Sequence, residues 1–592
     1  MNANESLKKY SFKYLPQLLI IGLIIFSYSH NLWFDFTYVD DNLIVFDEYD
    51  NINSLDKIPS TFVNGYLFDN YYRPMVMISF IIDTAIAGQS SLMYHLTNII
   101  LHIIVTLLLF KILLTIGIKK NISLLAACFY AVHPLNVSAV SWIVGRNDLL
   151  LAVFSVSSLF LYMRFRENNK KIYLVFSLIT YLFAMLSKEA GVLIPALIIF
   201  YELLLRAKNK FKLNQFYSLF YFILPALIYF VLRKFVAHVI VREEIGITSF
   251  FQNIYILFEY IAKTVYFFYI DPLPVKNYLL IWVGIVTFAL LILFLVVNWK
   301  SSLTKYFLFG FLIFLTIVLP TLFVRVNADD GIFNYIDCRM YLPLLGLTMS
   351  YAVIFEKLSG FLKKSAKLIT TGSLFIYLIV FTFLTSSVYK NGIAFWGTAL
   401  KKNPDRATYW MGLGYYYLDN KMYSDAVKCA TNAINLKPDI GEYYLKAAFA
   451  CEAAGDFKKA IEFLEKGLDA KTDSSINLSN LIKNYLRLGD KVKADELKNQ
   501  LEQLDISDLN KKANLYSSVS YYYSYSNYLE DSIILMRKAI YFIPDNPVFL
   551  NDLGVFYYKV GEIDSAKNYI SQAIQLDPNN LNYQRNLNAI KR

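Results

Sequence analysis

The sequence predicts an all-α protein in two parts: a bundle of membrane-crossing helices over residues 1–390, then an α-solenoid over 406–592. Three observations carry this reading. Hydrophobic residues make up 56% of the 592-residue chain and charged residues only 17%, far from an ordinary soluble composition. Several apolar runs approach the roughly 20 residues that a helix needs to cross a ~30 Å hydrocarbon core. The last stretch, by contrast, is polar and repeats itself at an interval of 34 residues.

The repeat is visible in small residues at matching points: Ala426, Ala460, Ala494, Ser532 and Ala566, with steps of 34, 34, 38 and 34. Pro438, Pro544 and Pro578 close the first, fourth and fifth repeats at one shared offset. Trp410, Leu413, Gly414, Tyr417 and Ala433 complete the first repeat, and Leu550, Leu553, Gly554, Tyr557 and Ala573 echo them in the fifth. A 34-residue helix pair with a small residue at the crossing and a closing proline is the tetratricopeptide signature. Five repeats are expected (407–440, 441–474, 475–512, 513–546, 547–580), preceded by a linker at 391–405 and followed by a cap. The four extra residues around Asp505–Lys511 are read as a longer loop. The small and aromatic repeat residues are packing positions, and a solenoid's concave face is suited to an extended polypeptide partner.

In the first part, spans are expected near 15–33, 95–117, 122–143, 147–163, 172–187, 190–205, 215–233, 278–298, 305–325, 340–356 and 367–389, about 11 in all. With the N-terminus inside, the inner loops collect Lys119/Lys120, Arg164/Arg166/Lys170/Lys171, Arg206/Lys208/Lys210/Lys212, Lys300/Lys305 and Lys357/Lys363/Lys364/Lys367. The net charge of +11 thus follows the positive-inside rule and gives no reason to expect nucleic acid. Segment 250–271 is interrupted by Gln252, Asn253, Glu259 and Lys263; if it crossed, the later basic groups would face outward, so it is read as interfacial or re-entrant. An odd span count puts the repeats on the outer side with the first loop, 34–94, whose Asp35, Asp40, Asp41, Asp47, Glu48, Asp50, Asp56 and Asp69 make it acidic. Lys8, Lys9 and Lys13 precede Leu18–Phe26 without a small-residue cleavage site, which marks a retained first span. Cys128, Cys338, Cys429 and Cys451 show no metal-like spacing.

The candidate chemistry lies on the outer side. Asp40 and Asp41 follow the first span; an aspartate there can serve as general base towards a hydroxyl, the alternative being a solvated acidic loop. His95, Asn98 and His102 fall on one helical face of the second span, where polar groups are expensive and serve either a pathway or interhelical hydrogen bonds. Arg73, His133, Arg146, Lys188 and Arg339 all collect near the outer face. Each alone could be a snorkelling anchor. Together they suit a phosphate-bearing lipid headgroup, because arginine and lysine bind phosphate oxygens through charge-assisted hydrogen bonds.

The order Tyr38-Val39-Asp40-Asp41, Tyr72-Arg73-Pro74, His95-x-x-Asn98-x-x-x-His102, Ala131-Val132-His133-Pro134, Gly145-Arg146-Asn147-Asp148, Leu186-Ser187-Lys188-Glu189 and Arg339-x-Tyr341-Leu342-Pro343, then the repeats, resembles the transmembrane and tetratricopeptide-repeat O-mannosyltransferases and their bacterial relatives, of the GT-C class of membrane glycosyltransferases. The resemblance covers nearly the whole chain. It implies a GT-C-type helix bundle, a sugar carried on a polyprenyl phosphate as donor, and an acidic residue of the first outer loop at the catalytic centre. It also implies a hydroxyl acceptor, Ser or Thr of a protein. Asp337-Cys338-Arg339 departs from the animal pattern, with Cys338 in place of the histidine of the bacterial version, and leaves Arg339 as the better candidate.

On this reading Asp40 or Asp41 takes the acceptor proton, and Arg339, Arg146, Lys188, His133 and Arg73 face the donor phosphate. A divalent cation (Mg or Mn) held by Asp40 or Asp41 is an open alternative. So are a cell-envelope glycan or lipid as acceptor, and a non-enzymatic membrane-anchored scaffold. A transporter is a weaker match, since paired Gly/Pro-broken spans in corresponding halves are not seen. The abundance of Lys, Asn, Ile, Tyr and Phe suggests an AT-rich bacterial genome, which would make the outer side periplasmic; in a eukaryote it would be the endoplasmic reticulum lumen.

Overall fold

A computed structural model describes residues 3–65, 71–206, 217–236, 245–268, 271–324, 336–358, 363–470 and 474–591. It is all-helical: among these residues there is no strand, and β pairing is limited to isolated bridge residues such as the antiparallel pair Ile245 and Val324. Two compact units are present, Met1–Lys402 and Asn403–Arg592. Asp69 of the acidic loop lies outside the described residues.

Among the described residues, eight helices of the first unit are long and apolar enough to cross a membrane, against the 11 spans expected. They are Tyr14–Trp33, Ser91–Thr115, Ile143–Asn168, Tyr217–Val236, Tyr278–Val297, Thr304–Phe323, Asp337–Leu358 and Ile369–Tyr389. The shortfall has a local cause in each case. Lys120–Ala131 and Pro134–Ser141 would make a ninth, but they bend by 50° at a break around His133. Pro134 lacks an amide hydrogen there, which interrupts the helical ladder. Lys171–Ser187 has 17 residues, fewer than the roughly 20 that a span needs. Residues 189–206 form three pieces in succession: a 3₁₀ turn Glu189–Leu193, an α-helix Ile194–Phe200 and a π-helix Tyr201–Arg206. Segment 250–271 becomes the 17-residue helix Ile247–Lys263, which buries Asn253, Glu259 and Lys263 and is not among the crossing helices.

Two stretches read as irregular are helical. The apolar helix Pro74–Ala87 lies within the first outer loop. In place of the 391–405 linker, Gly392–Lys402 is a helix that buries Phe395, Trp396, Ala399 and Leu400 within the first unit.

Helices Thr304–Val318 and Tyr341–Leu358 cross at Gly310 and Gly346. A Cβ on Gly310 would lie 2.4 Å from the Gly346 carbonyl oxygen, and one on Gly346 would lie 2.5 Å from that of Gly310. Small residues allow such close crossings in membranes, where dispersion rather than the hydrophobic effect holds helices together. Gly346→Val is expected to cost about 1–3 kcal/mol through this overpacking. The expected readout is a lower melting temperature of detergent-solubilised protein; an unchanged melt would contradict the crossing.

The second unit stacks five helix pairs. Their first helices are Ala407–Asp419, Gly441–Ala453, Ser474–Arg487, Leu509–Tyr525 and Pro547–Lys559. A capping helix, Leu581–Lys591, follows. Gly414 sits where a Cβ would come within 3.3 Å of Cys429 Cβ, which explains the small residue at the crossing. The four-residue insertion is not simply a longer loop. The fourth first-helix is 17 residues long where the first, second and fifth are 13, and Asp508 caps its start by accepting from the Asn510 and Lys511 amides. Four residues add about one turn of α-helix, so the buried face is preserved.

Candidate functional site

The loop after the first span treats its two aspartates differently. Asp41 is fully buried. Its Oδ2 accepts from the Thr37 amide at 2.6 Å and the Thr37 hydroxyl at 2.9 Å, and its Oδ1 accepts from the amides of Val39 at 3.0 Å and Asn42 at 3.1 Å. Asp41 therefore ties the loop together. Trp142 adds a second tie by donating its Nε1–H to the Val39 carbonyl at 3.0 Å, and the Asp35 amide donates to the Lys390 carbonyl at 2.8 Å.

Asp40 emerges from this frame with φ +64° and Tyr38 with φ +59°, two non-glycine residues in the left-handed region. Such backbone costs of order 1–3 kcal/mol per residue and persists where the surroundings over-determine it, which is typical of functional loops. No hydrogen bond or ion pair of the Asp40 carboxylate is present among the described residues. Asp40 is open to solvent by surface area, yet the protein packed around it pushes its carboxyl above the ordinary range. Burial pushes Asp41 up to about 6, against the lowering from Thr37 and Val39 and with a small added push from the Asp40 charge.

The signs follow. A carboxyl raised above its unfolded value stabilises the fold below that unfolded value, and the contribution is lost as pH rises through about 6, the folded value of Asp41. A base at Asp40 works only when ionised, so the acid limb of a pH–activity profile is expected above the ordinary carboxylate range. A limb at the ordinary carboxylate value would contradict the placement of Asp40.

The five cationic and imidazole candidates separate. Arg146 is fully buried. Its Nη1 meets Asp83 Oδ2 at 2.5 Å, its Nε donates to Asn98 Oδ1 at 3.0 Å, its Nη2 donates to the Tyr94 carbonyl at 2.7 Å, and the Phe80 ring lies 4.4 Å away. It is enclosed by protein partners. His133 is likewise buried: its Nδ1 accepts from the Leu135 amide at 3.2 Å, and its Nε2 faces the Thr264 carbonyl at 3.3 Å.

The others form one line of alternating charge. Arg73 grips Glu189 through Nη2 at 2.9 Å and Nε at 3.3 Å. Burial alone would raise Glu189, but Arg73 outweighs it and holds the carboxyl below its usual value, with Lys188 assisting. Lys188 donates to both oxygens of Asp148, at 2.7 and 2.8 Å. Asp148 also bonds the Cys338 side chain, beside Arg339. Asp337 in the same short turn, Asp337–Met340, accepts from Lys263 at 2.6 Å. The turn carrying Arg339 is thus held by the Lys263–Asp337 ion pair, with Arg339 itself half-buried.

The His95/Asn98/His102 face is chiefly a brace. Asn98 donates to the Trp142 carbonyl at 3.0 Å while accepting from Arg146, and so holds the 140–146 segment. His102 Nε2 lies 2.9 Å from the Ala131 carbonyl, which can only accept, so Nδ1 accepts from the Tyr341 hydroxyl at 2.7 Å. His95 packs against Phe34 with the Asp35 backbone beside its ring, and neither ring nitrogen has ordinary hydrogen-bond geometry.

Two recesses adjoin these groups. An apolar cavity of about 310 Å³ is lined by Phe129, Thr264, Phe267, Tyr351, Phe355 and Phe375, among others. Phe267 also lines a small polar recess with Ser138, Lys263, Asp271, Asp337 and Tyr389. The Asp40 loop leans on the neighbouring residues Trp142 and Lys390. Among the described residues no three His, Cys, Asp or Glu converge as a metal-holding set, and both Asp41 oxygens are occupied by chain donors.

Sequence reasoning did not assign Asp83, Asp148, Glu189, Lys263 or Trp142 these roles. Asp148 and Glu189 stood inside the quoted motifs. Asp83 carried its own signal: a lone acid in an apolar helix requires a partner.

Residues 73–233 match the family model of dolichyl-phosphate-mannose-protein mannosyltransferases, and 407–440, 441–474 and 549–580 match tetratricopeptide repeats. A protein O-mannosyl-transferase of Caenorhabditis elegans is 27% identical over 71% of this chain and 62% of its own length. A human protein O-mannosyl-transferase is 22% identical over 96% of this chain and 65% of its own length. A third, from Xenopus laevis, is 29% identical over 34% of this chain and 26% of its own. The chain therefore spans a little under two thirds of the length of the first two, and its resemblance to the transmembrane and tetratricopeptide-repeat O-mannosyltransferases extends over much of the sequence.

Proposed function

We propose that this chain is a multi-pass membrane glycosyltransferase that moves a sugar, mannose by similarity to its relatives, from a polyprenyl-phosphate donor to a Ser or Thr hydroxyl of a protein. The observation that carries this reading is the Asp40 carboxylate, held in a strained loop without a partner while the neighbouring Asp41 spends both oxygens on the loop. The polyprenyl chain occupies the apolar cavity, and the phosphosugar head lies towards the turn that carries Arg339.

Asp40 accepts the hydroxyl proton while the acceptor oxygen bonds to the anomeric carbon. The bond from that carbon to the phosphate oxygen breaks, and polyprenyl phosphate departs with the electron pair. Lys188 and Arg339 stand where the leaving charge develops; preorganised charge of this kind is often the largest catalytic term. Arg73 positions Lys188 through Glu189, whereas Arg146 and His133 support the walls. By the charge asymmetry of the loops, the site and the repeats face the periplasm, or the endoplasmic reticulum lumen in a eukaryote.

The test is mass spectrometry of glycopeptides from cells carrying the wild-type chain or Asp40→Asn. Loss of a hexose mass from Ser/Thr peptides in the variant supports the reading. An unchanged glycoproteome contradicts it and points to a glycan or lipid acceptor, or to a scaffold.

A further inference from the structure

A buried ammonium beside the Arg339 turn has more donors than the chain uses. Lys263, at the end of helix Ile247–Lys263, is 3% exposed and donates to Asp337 Oδ1 at 2.6 Å. An ammonium has three N–H donors. Among the described residues Lys263 makes no second hydrogen bond or ion pair, and Asp337 Oδ2 makes none. Ser138 lies close by: its Oγ is shut off from solvent and faces the Tyr389 hydroxyl without ordinary hydrogen-bond geometry. Unused donors on a buried charge are costly, so this group calls for a partner from outside the chain.

These groups share one recess. Ser138, Lys263, Asp271, Asp337 and Tyr389 line a space of about 20 Å³, and Phe267 lines both this space and the apolar cavity. A water molecule needs roughly 10–15 Å³ by the same measure, so the recess admits one group of that size. The walls carry one ammonium, Lys263, against two carboxylates, Asp271 and Asp337. Glu259 and Lys402 lie within electrostatic reach, one of each sign, and leave that balance unchanged. Adding Arg339, in the same turn as Asp337, brings the formal sum only to zero. No positive surplus therefore draws a phosphate oxygen into the recess. A hydroxyl fits, because it accepts from Lys263 and donates to Asp337 Oδ2 at once.

We infer that this recess receives one hydroxyl of the donor sugar, and that Lys263 and Asp337 determine which sugar the protein accepts. This role deepens the proposed transfer reaction and rests on its polyprenyl-phosphate donor. With the polyprenyl tail in the apolar cavity and the phosphate towards Arg339, the sugar comes to the recess: Phe267 borders both spaces, and Asp337 shares the turn with Arg339. A sugar with its hydroxyl in place satisfies Lys263 and Asp337 together. A sugar lacking that hydroxyl leaves a buried ammonium and a carboxylate oxygen unpaired, and sites built to bond a hydroxyl reject analogues without it for this reason.

Competition binding without an acceptor tests this, so that donor recognition is read apart from transfer to protein. Tritiated polyprenyl-phosphate mannose is bound to the full-length chain in nanodiscs and displaced by the unlabelled mannosyl donor or by its 2-, 3-, 4- and 6-deoxy analogues. At least one deoxy donor is expected to compete about tenfold more weakly than the mannosyl donor. Asp337→Asn keeps an oxygen for Lys263 but turns the free oxygen into an NH₂ donor, and is expected to abolish the preference against that one analogue. The wild-type series is decisive without any variant: equal competition by all the donors would overturn the inference while leaving the donor assignment standing. A preference unchanged in folded Asp337→Asn would also overturn it. No binding of the labelled donor would overturn the donor assignment, and the inference with it.

Discussion

Asp40→Asn is expected to lower sugar transfer by about 10²–10⁴-fold while leaving folding and membrane insertion intact, because it removes a general base and breaks no contact. Asp41→Asn is expected to act through the loop. Its two oxygens accept from four donors, whereas an asparagine amide keeps one acceptor and turns an NH₂ group towards amides that also donate. One or more buried amides then lose their partner, at a cost of about 1–3 kcal/mol each. The two substitutions should therefore separate: the first gives an inactive protein with a wild-type melt, the second a protein with a lower melt and reduced activity. Transfer assays and thermal melts of both variants in detergent check this. Full activity of Asp40→Asn would remove Asp40 from the chemistry.

Arg146→Met should have the largest effect on the fold. It leaves the Asp83 carboxylate buried without its cation, and the Asn98 and Tyr94 oxygens without their donor. Breaking one partner of a buried ion pair typically costs about 3–5 kcal/mol, much of the stability of an ordinary domain. Arg146→Met combined with Asp83→Leu should recover much of the loss, because replacing both charges by apolar groups removes the uncompensated carboxylate. The readout is the fraction of monodisperse protein after solubilisation, with its melting temperature. A wild-type melt for Arg146→Met alone would mean that the residue is hydrated and free to bind phosphate, as its motif first suggested.

The same pair marks the limit of what was legible in the sequence. The repeats could be read, apart from the insertion before the fourth, because their period, crossing residues and closing prolines are local and periodic. The long spans could be read because twenty apolar residues have few other uses. Partnership was hidden, since it depends on distant contacts: Arg146 finds Asp83 and Lys188 finds Asp148, each 40 or more residues away in sequence. The distinction between Asp40 and Asp41 was equally invisible, because it rests on φ +64° at one residue and four donors converging on the next. The helix Gly392–Lys402 reads as a linker in the sequence because its apolar face is short and sits between two stronger signals. The 50° bend at His133-Pro134 falls inside what the sequence presents as one span, 122–143, and its consequence, an apolar cavity beside a polar recess, needs the packing of four separated segments.

Reconstituted transfer tests the central claim most directly. Purified chain in liposomes would be supplied with polyprenyl-phosphate mannose and a Ser/Thr peptide, and the mannosylated peptide and released polyprenyl phosphate measured together. The account predicts equal amounts of both products with the wild-type chain and neither above background with Asp40→Asn. Donor left intact by the wild-type chain, or consumed equally by Asp40→Asn, would contradict it.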